Sequence, residues 1–499
     1  MTLTSHPEPV TGPDPVRAGR REWTALGVLM LPLLLVSMDV SVLYFAIPSI
    51  SADLRPGATE QLWILDTYGF VLAGLLITMG ALGDRVGRRK VLLGGAALFG
   101  VASVAAAYAQ SSGALIGARA LLGVAGAGLM PATLALIRVL FADPAQRAKA
   151  VTLWTSVMAS GIALGPVVSG ALVEHFWWGS VFLINLPAMG VLLVLGPLLL
   201  PESKGGGSAG RFDVLSAVLS LGALLPLIHG IKELAKDGWA ALPAGGVVVG
   251  LLVGLVFVRR QARLAHPMVD LALLRNRAYG GSVLANLLAM AATVGFAVFL
   301  TQYLQSVLGQ SPFEAALWSL VPTAGVLVAA PAAAGLAQKV DRAYVMGGGF
   351  LVAAGGFAWL AGIDHATPLW VVVVGSAVYA GGLVSAMTLA NELALGAAPP
   401  ERAGAAAAVL ESGAELGGAL GMAVLGSVGA AVYTGAMPAS APAAARETLG
   451  GALTSGPSVL DAARTAFVDA MGAVAVGAAV LMLGAAVLSL VLLRTARRG

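Results

Sequence analysis

The 499-residue chain contains no cysteine. Disulfide frameworks, thiol nucleophiles and thiolate metal sites are therefore excluded. Charge is also scarce. Asp, Glu, Lys and Arg make up 11% of the residues, against roughly 25% in an ordinary soluble domain. A soluble protein this poor in charge could not cover its surface. Histidine occurs at positions 6, 175, 229, 266 and 365. None of these falls in a metal-ligand spacing, so no metal is expected. The sequence has no GxxxxGK[ST] phosphate loop and no polar stretch long enough for a nucleotide hydrolase. No cofactor is expected, and no nucleic acid partner. Energy for any work would come from an ion gradient. A nucleophile–base pair at membrane depth is missing too, which argues against an enzyme.

What the chain has in excess is apolar residues, at 58%, with a mean hydropathy of +0.89. They come in runs of about 20 residues, the length that crosses a bilayer as a helix. Period-2 alternation is absent, which excludes a membrane barrel. Gly is abundant at 65 residues, and small residues let helices approach closely in lipid. The expected fold is an all-α polytopic membrane bundle.

Fourteen spans are expected, at about 23–50, 60–83, 91–109, 113–141, 150–173, 178–200, 212–231, 241–258, 280–308, 313–338, 344–361, 367–396, 404–433 and 467–494. With both termini cytoplasmic, 23 of the 29 basic residues lie inside and five outside, among them Lys232 and Lys236. Arg119 falls within a span. That split obeys the positive-inside rule, and losing one span would scramble it. The reading divides the chain into a disordered tail (1–22), a six-helix half (23–200), two inserted helices (201–258), a cytoplasmic linker (259–279) and a second six-helix half (280–499). An outer loop at about 434–466 has room for a short helix or hairpin. Residues 1–22 do not read as a signal peptide, because no cleavage site follows the first apolar run.

Several residues stand out against this background. The loop after span 2 reads GALGDRVGRRK. In it Gly83 and Gly87 permit a tight turn, Asp84 is suited to a helix N-terminus, and Arg85, Arg88 and Arg89 supply positive charge. Charges in the spans cost several kcal/mol each, about 2.5–3.5 on insertion scales, so each needs a reason. These are Asp39, Asp66, Arg119, Glu411 and Glu415. Glu411 and Glu415 are four apart and share one helical face. They repel each other, and burial disfavours charge on both. Such carboxylates exchange protons and attract lipophilic cations. Competition for them would give antiport. A purely structural pairing is the alternative for each. Tyr44, Trp63, Tyr68, Trp154, Phe182, Tyr303 and Trp318 are candidates to stack on flat cations, with packing or an interfacial belt as the alternative for any one.

The GALGDRVGRRK motif resembles the signature of the major facilitator superfamily, where it acts as a conformational latch. Further stretches are similar to the 14-helix drug:proton antiporters of that superfamily, which export quaternary ammonium compounds and dyes. These are MDVSVLYFAIPSI in span 1, ARALLGVAGAGLMPAT in span 4 and GIALGPVVSG in span 5. The last looks like the antiporter motif and carries Gly161, Gly165, Pro166 and Gly170. The resemblance implies proton-coupled export of lipophilic cations through a bacterial inner membrane by a monomer. It links Asp39 to coupling, and the acids of span 13 to substrate or proton binding. Export of a self-made metabolite is the alternative, and an uptake carrier a remote one.

Overall fold

A computed structural model describes residues 17–204, 213–237, 240–264, 267, 269, 271–397, 403–453 and 455–493. The described chain is helical throughout. Its long helices are α1 (Arg20–Leu54), α2 (Ala58–Val86), α3 (Arg88–Ala107), α4 (Ser112–Leu140), α5 (Pro144–His175), α6 (Asn185–Leu199), α7 (Val214–Asp237), α8 (Ala241–Gln261), α9 (Arg277–Gln302), α10 (Pro312–Leu336), α11 (Arg342–Leu360), α12 (Leu369–Ala397), α13 (Ala403–Ala436) and α14 (Pro457–Leu488). Among the described residues, eleven helices are long and apolar enough to cross a membrane. The number is twelve when α2, which bends by 52° between Leu76 and Thr78, counts as one span. That count takes in neither α7 nor α10, which are 24 and 25 residues long.

Local chemistry sets the helix ends. The Glu22 carboxylate accepts from the Gly19 N–H at 2.7 Å, so α1 starts at Arg20 and draws residues 20–22 out of the expected tail. Ser111 and Asp143 cap α4 and α5, as short oxygen-bearing side chains do. At the other end of the chain the expected outer loop shrinks. Helix α13 runs to Ala436, and Pro457 stands in the first turn of α14. Two short helices, Ala443–Glu447 and Leu449–Ala452, fold between them.

Two large cores hold the bundle together. One is built almost wholly from residues 25–200, the other almost wholly from residues 285–486. They meet at the end of the bundle remote from Arg20. There the Glu174 carboxylate accepts from the Phe313 N–H at 3.2 Å, and the Gln305 amide donates to the Phe45 carbonyl. Helix α7 packs against α8, and also against α2 and α13. A smaller core of Phe70, Ile228, Ala419 and Ala423 joins α7 to α2 and α13.

Glycines allow the closest approaches. A methyl group on Gly161 would meet the Leu34 carbonyl at 2.6 Å, and one on Gly170 would meet the Pro312 carbonyl at 2.6 Å. Between these two glycines the Ser41 hydroxyl donates to the Ile162 carbonyl and the Ser169 hydroxyl to the Val42 carbonyl. Helix α5 thus lies backbone-to-backbone on α1. Gly161→Leu should force the two helices apart at an overpacking cost of about 1–3 kcal/mol. The readout is a lower thermal midpoint of the purified protein. Gly117→Leu is the control, because a methyl group there meets nothing within 4 Å. Equal midpoints for the two variants would refute the contact.

Candidate functional site

The fully buried charged side chains among the described residues are Asp39, Asp66, Arg119 and Lys232. They form two ion pairs. Arg119 on α4 donates from Nη1 to Asp39 on α1. Its Nε donates to the Ile64 carbonyl at 3.1 Å and its Nη2 to the Leu65 carbonyl of α2. The guanidinium also lies over the Tyr68 ring, 4.7 Å from its centroid. A planar cation with five donors suits this mixture of carboxylate, carbonyl and ring face. One side chain therefore ties three helices together.

The second pair was not foreseen. Lys232 was expected in the outer loop after span 7. Instead α7 continues to Asp237, and Lys232 is buried with its Nζ 2.7 Å from Asp66 of α2. The helix outruns its apolar stretch because Asp66 offsets the charge on Lys232. Asp66, in turn, is buried, 4% exposed. The sequence signal available was an acid in one span with a lysine just past the end of another.

Tyr44, Asp66, Tyr68, Arg119, Met290, Val294 and Glu415 line a shared cavity of about 50 Å³. Drug-sized ligands need roughly 300–1,000 Å³, so this cavity has to widen before it can hold one. Glu411 lies one turn from Glu415 on α13, and both are half-buried. Among the described residues no cation pairs with either glutamate. A second, apolar cavity of about 480 Å³ lies between the α7–α8 pair and α9 and α13. It is lined by Leu227, Phe257, Leu287, Ser412 and Leu416 among others, so the helix that carries the glutamates also forms one of its walls.

The aromatic candidates divide. Tyr44 and Tyr68 line the small cavity, and Trp63 stacks on Lys232. Trp154 is half-buried and donates to the Thr133 hydroxyl at 3.0 Å. Phe182 and Tyr303 each pack in one of the two large hydrophobic cores, and the Tyr303 hydroxyl is occupied by the Asp364 carbonyl. Trp318 is 41% exposed on α10. The residue types suited stacking, but the helix face decided their roles.

The loop motif forms a compact unit at the end of the bundle where α1 begins. Gly87 has φ +128°, and a methyl group there would run into the Glu202 carboxylate, 2.8 Å from Cδ. Asp84 does not cap a helix N-terminus as expected. It sits in the last turn of α2 and accepts from Arg88 Nε at 2.9 Å. Arg88 reaches on to the Ala135 carbonyl of α4. Arg89 donates to the Pro197 and Leu200 carbonyls and pairs with Glu202 at 3.7 Å. Gly83 is helical, and its carbonyl accepts from the Gly87 N–H. Arg85 lies exposed beside them.

A multi-span helical bundle with ionisable groups at its centre is the architecture of a membrane transporter. The sequence profile of the Major Facilitator Superfamily matches residues 29–422, and the chain belongs to that family. It is 42% identical over 489 residues to "Multidrug efflux pump LfrA" of Mycolicibacterium smegmatis, covering 95% of this chain and 97% of that one. It is 35% identical to "Methyl viologen resistance protein SmvA" of Salmonella typhimurium (90% and 93%) and 34% identical to "Puromycin resistance protein pur8" of Streptomyces alboniger (84% and 82%). Its fold resembles that of a bacterial homologue of the lysosomal transporter Spinster, solved inward-facing and unoccupied. The TM-score is 0.67 at 18% identity, over 96% of this chain and 98% of the other.

If the buried pair is coupled, Arg119→Gln should strand a buried Asp39 and cost about 3–5 kcal/mol. The double variant Asp39→Asn with Arg119→Gln should cost much less than the sum of the two single changes. Thermal midpoints of the four proteins give the comparison. Strict additivity would mean that the two groups do not depend on each other.

Proposed function

We propose that this protein is a proton-coupled antiporter that exports lipophilic cationic drugs, dyes and quaternary ammonium compounds by alternating access. One observation carries the reading. Among the described residues, Asp39 and Asp66 are buried and Glu411 and Glu415 half-buried in the bundle, against two buried cations, Arg119 and Lys232. Arg119 and Lys232 neutralise Asp39 and Asp66. The two glutamates remain, one turn apart and, among the described residues, without a basic partner. In a low-dielectric interior two such charges are costly together. A proton relieves that cost, and so does an organic cation. Entry of one favours departure of the other, which is the exchange an antiporter requires.

The surroundings support the same reading. Tyr44 and Tyr68 line the same small cavity as Glu415, and aromatic rings attract cations. The apolar cavity beside Ser412 and Leu416 can receive the lipophilic body of a substrate. The two cores, which meet at one end, are the two moving halves in this reading. The loop motif at Gly83, Asp84, Arg85, Gly87, Arg88 and Arg89 is the latch at the opposite end. Gly161, Gly165, Pro166 and Gly170 form the helix contact of the antiporter motif. Adding α7 and α10 to the twelve apolar spans gives fourteen, with both termini cytoplasmic, in the bacterial inner membrane. The transporter acts as a monomer and needs no cofactor beyond the proton gradient.

A second reading, export of a self-made metabolite or antibiotic, is favoured by the puromycin-resistance relative. The test is ethidium efflux from energised cells, with and without a protonophore. Wild-type efflux should stop with the protonophore. Glu411→Gln with Glu415→Gln should insert normally but export no faster than empty membranes. Undiminished efflux from that variant would remove the glutamates from the mechanism. An inactive wild type would favour the metabolite reading.

A further inference from the structure

Lys232 is held in an unusual way. Its Nζ lies 4.2 Å from the centroid of the Trp63 ring and 5.9 Å from that of Phe70. The His229 ring, one turn back on α7, lies 6.3 Å from Trp63. The Asp66 carboxylate is 2.7 Å away, and among the described residues no second acceptor takes an N–H of Nζ. A buried lysine in a structural salt bridge usually spends its three N–H groups on acceptors. Here the ammonium is held by charge and ring faces. Those are the forces that bind a quaternary ammonium, which has no N–H to donate.

Asp66 also lines the small cavity that contains Glu415. The lysine therefore approaches Asp66 from the α7 side while the cavity approaches it from the α13 side. We propose that Asp66, Trp63 and Phe70 form a second organic-cation subsite, occupied at rest by the protein's own Lys232, which a cationic substrate must displace. The proposal rests on the cation-export reading for its ligand class and extends it to α7. The lysine has a flexible four-carbon stem, so it can withdraw without unfolding the helix. It then competes with substrate, weakening binding and favouring release.

The test is equilibrium binding of radiolabelled tetraphenylphosphonium to the purified full chain in lipid nanodiscs. Lys232→Met should bind about tenfold more tightly, the scale of one desolvated ring–cation contact. Lys232→Arg should bind like the wild type. Adding Asp66→Asn to Lys232→Met should abolish the gain. A well-folded Lys232→Met protein that binds no more tightly than the wild type overturns the proposal. A second measurement covers a variant that fails to fold. The chain has no cysteine, so Lys232→Cys introduces a unique thiol. A cationic methanethiosulfonate should label it much faster than an anionic one, and tetraphenylphosphonium should slow that labelling. Equal rates, no protection or no labelling would count against the subsite. Charge-selective labelling in a protein that exports no ethidium would uphold the subsite and reject the export reading. Ethidium export without charge-selective labelling would do the reverse.

Discussion

The cost of placing charge in a medium that cannot solvate it shapes this molecule. Four charged side chains are fully buried among the described residues, and each has an opposite charge beside it. The pairs also fix which helices are neighbours. Arg119 joins α4 to α1 and α2, and Lys232 joins α7 to α2. In lipid no hydrophobic force selects one helix neighbour over another, because the tails are as apolar as the side chains. Ion pairs and glycine contacts supply the selection instead. Helix α2 receives both cations, and with α13 it walls the cavity that Glu415 lines.

Glycine and charge do different work in this scheme. At Gly161 and Gly170, α5 meets α1 and α10 so closely that a side chain of any size would part them. At Gly87 the requirement is backbone conformation as well as space, since φ is +128°. That turn lets Arg88 and Arg89 splay apart, one toward Asp84 and Ala135, the other toward Pro197, Leu200 and Glu202. A comparable arrangement occurs in the second half. There Asp341 caps α11, and Arg342 faces Glu392 across 4.0 Å. It lacks the positive-φ glycine and the run of arginines, so its grip is weaker.

The sequence made much of this legible, for physical reasons. Apolar runs and scarce charge specify a membrane bundle, because lipid tolerates little else. Asp39, Asp66, Arg119, Glu411 and Glu415 were conspicuous because charge in a span is rare. Spacing alone showed that the two glutamates share a face. What was hidden depended on distant partners. Lys232 looked like a loop residue because nothing near it in sequence marks Asp66 as its counterion. Phe182, Tyr303 and Trp318 are as aromatic as Tyr44, but a ring's role depends on which way its helix face turns. The helix contacts that settle this lie tens or hundreds of residues away. The start of α14 was misjudged because Ala-rich, partly polar residues 457–466 carry a weak apolar signal. Pro457 at the first turn and Gly456 at φ +97° marked the true start.

The α7–α8 pair shows how two helices can be added to such a bundle without disturbing it. Helix α8 contributes little to either large core, and many of its apolar residues, including Leu251, Leu252 and Val256, are exposed. Its hold on α7 is strong. A methyl group on Gly250 would meet the Ala223 carbonyl at 2.7 Å, and Arg260 pairs with Asp213 at 2.8 Å. Attachment to the rest of the protein runs through α7, at Lys232–Asp66 and in the small core around Ile228. Toward the other end, the apolar cavity separates the pair from α9 and α13. Even there α7 touches α2, where the Ser220 hydroxyl donates to the Gly74 carbonyl at 3.3 Å. One of its tethers is an ion pair, whose strength depends on what else the Asp66 carboxylate is bound to. Because α7 packs on α2 of one half and on α13 of the other, the pair bridges the two cores, and the carboxylate that anchors it is also part of the wall of the small central cavity.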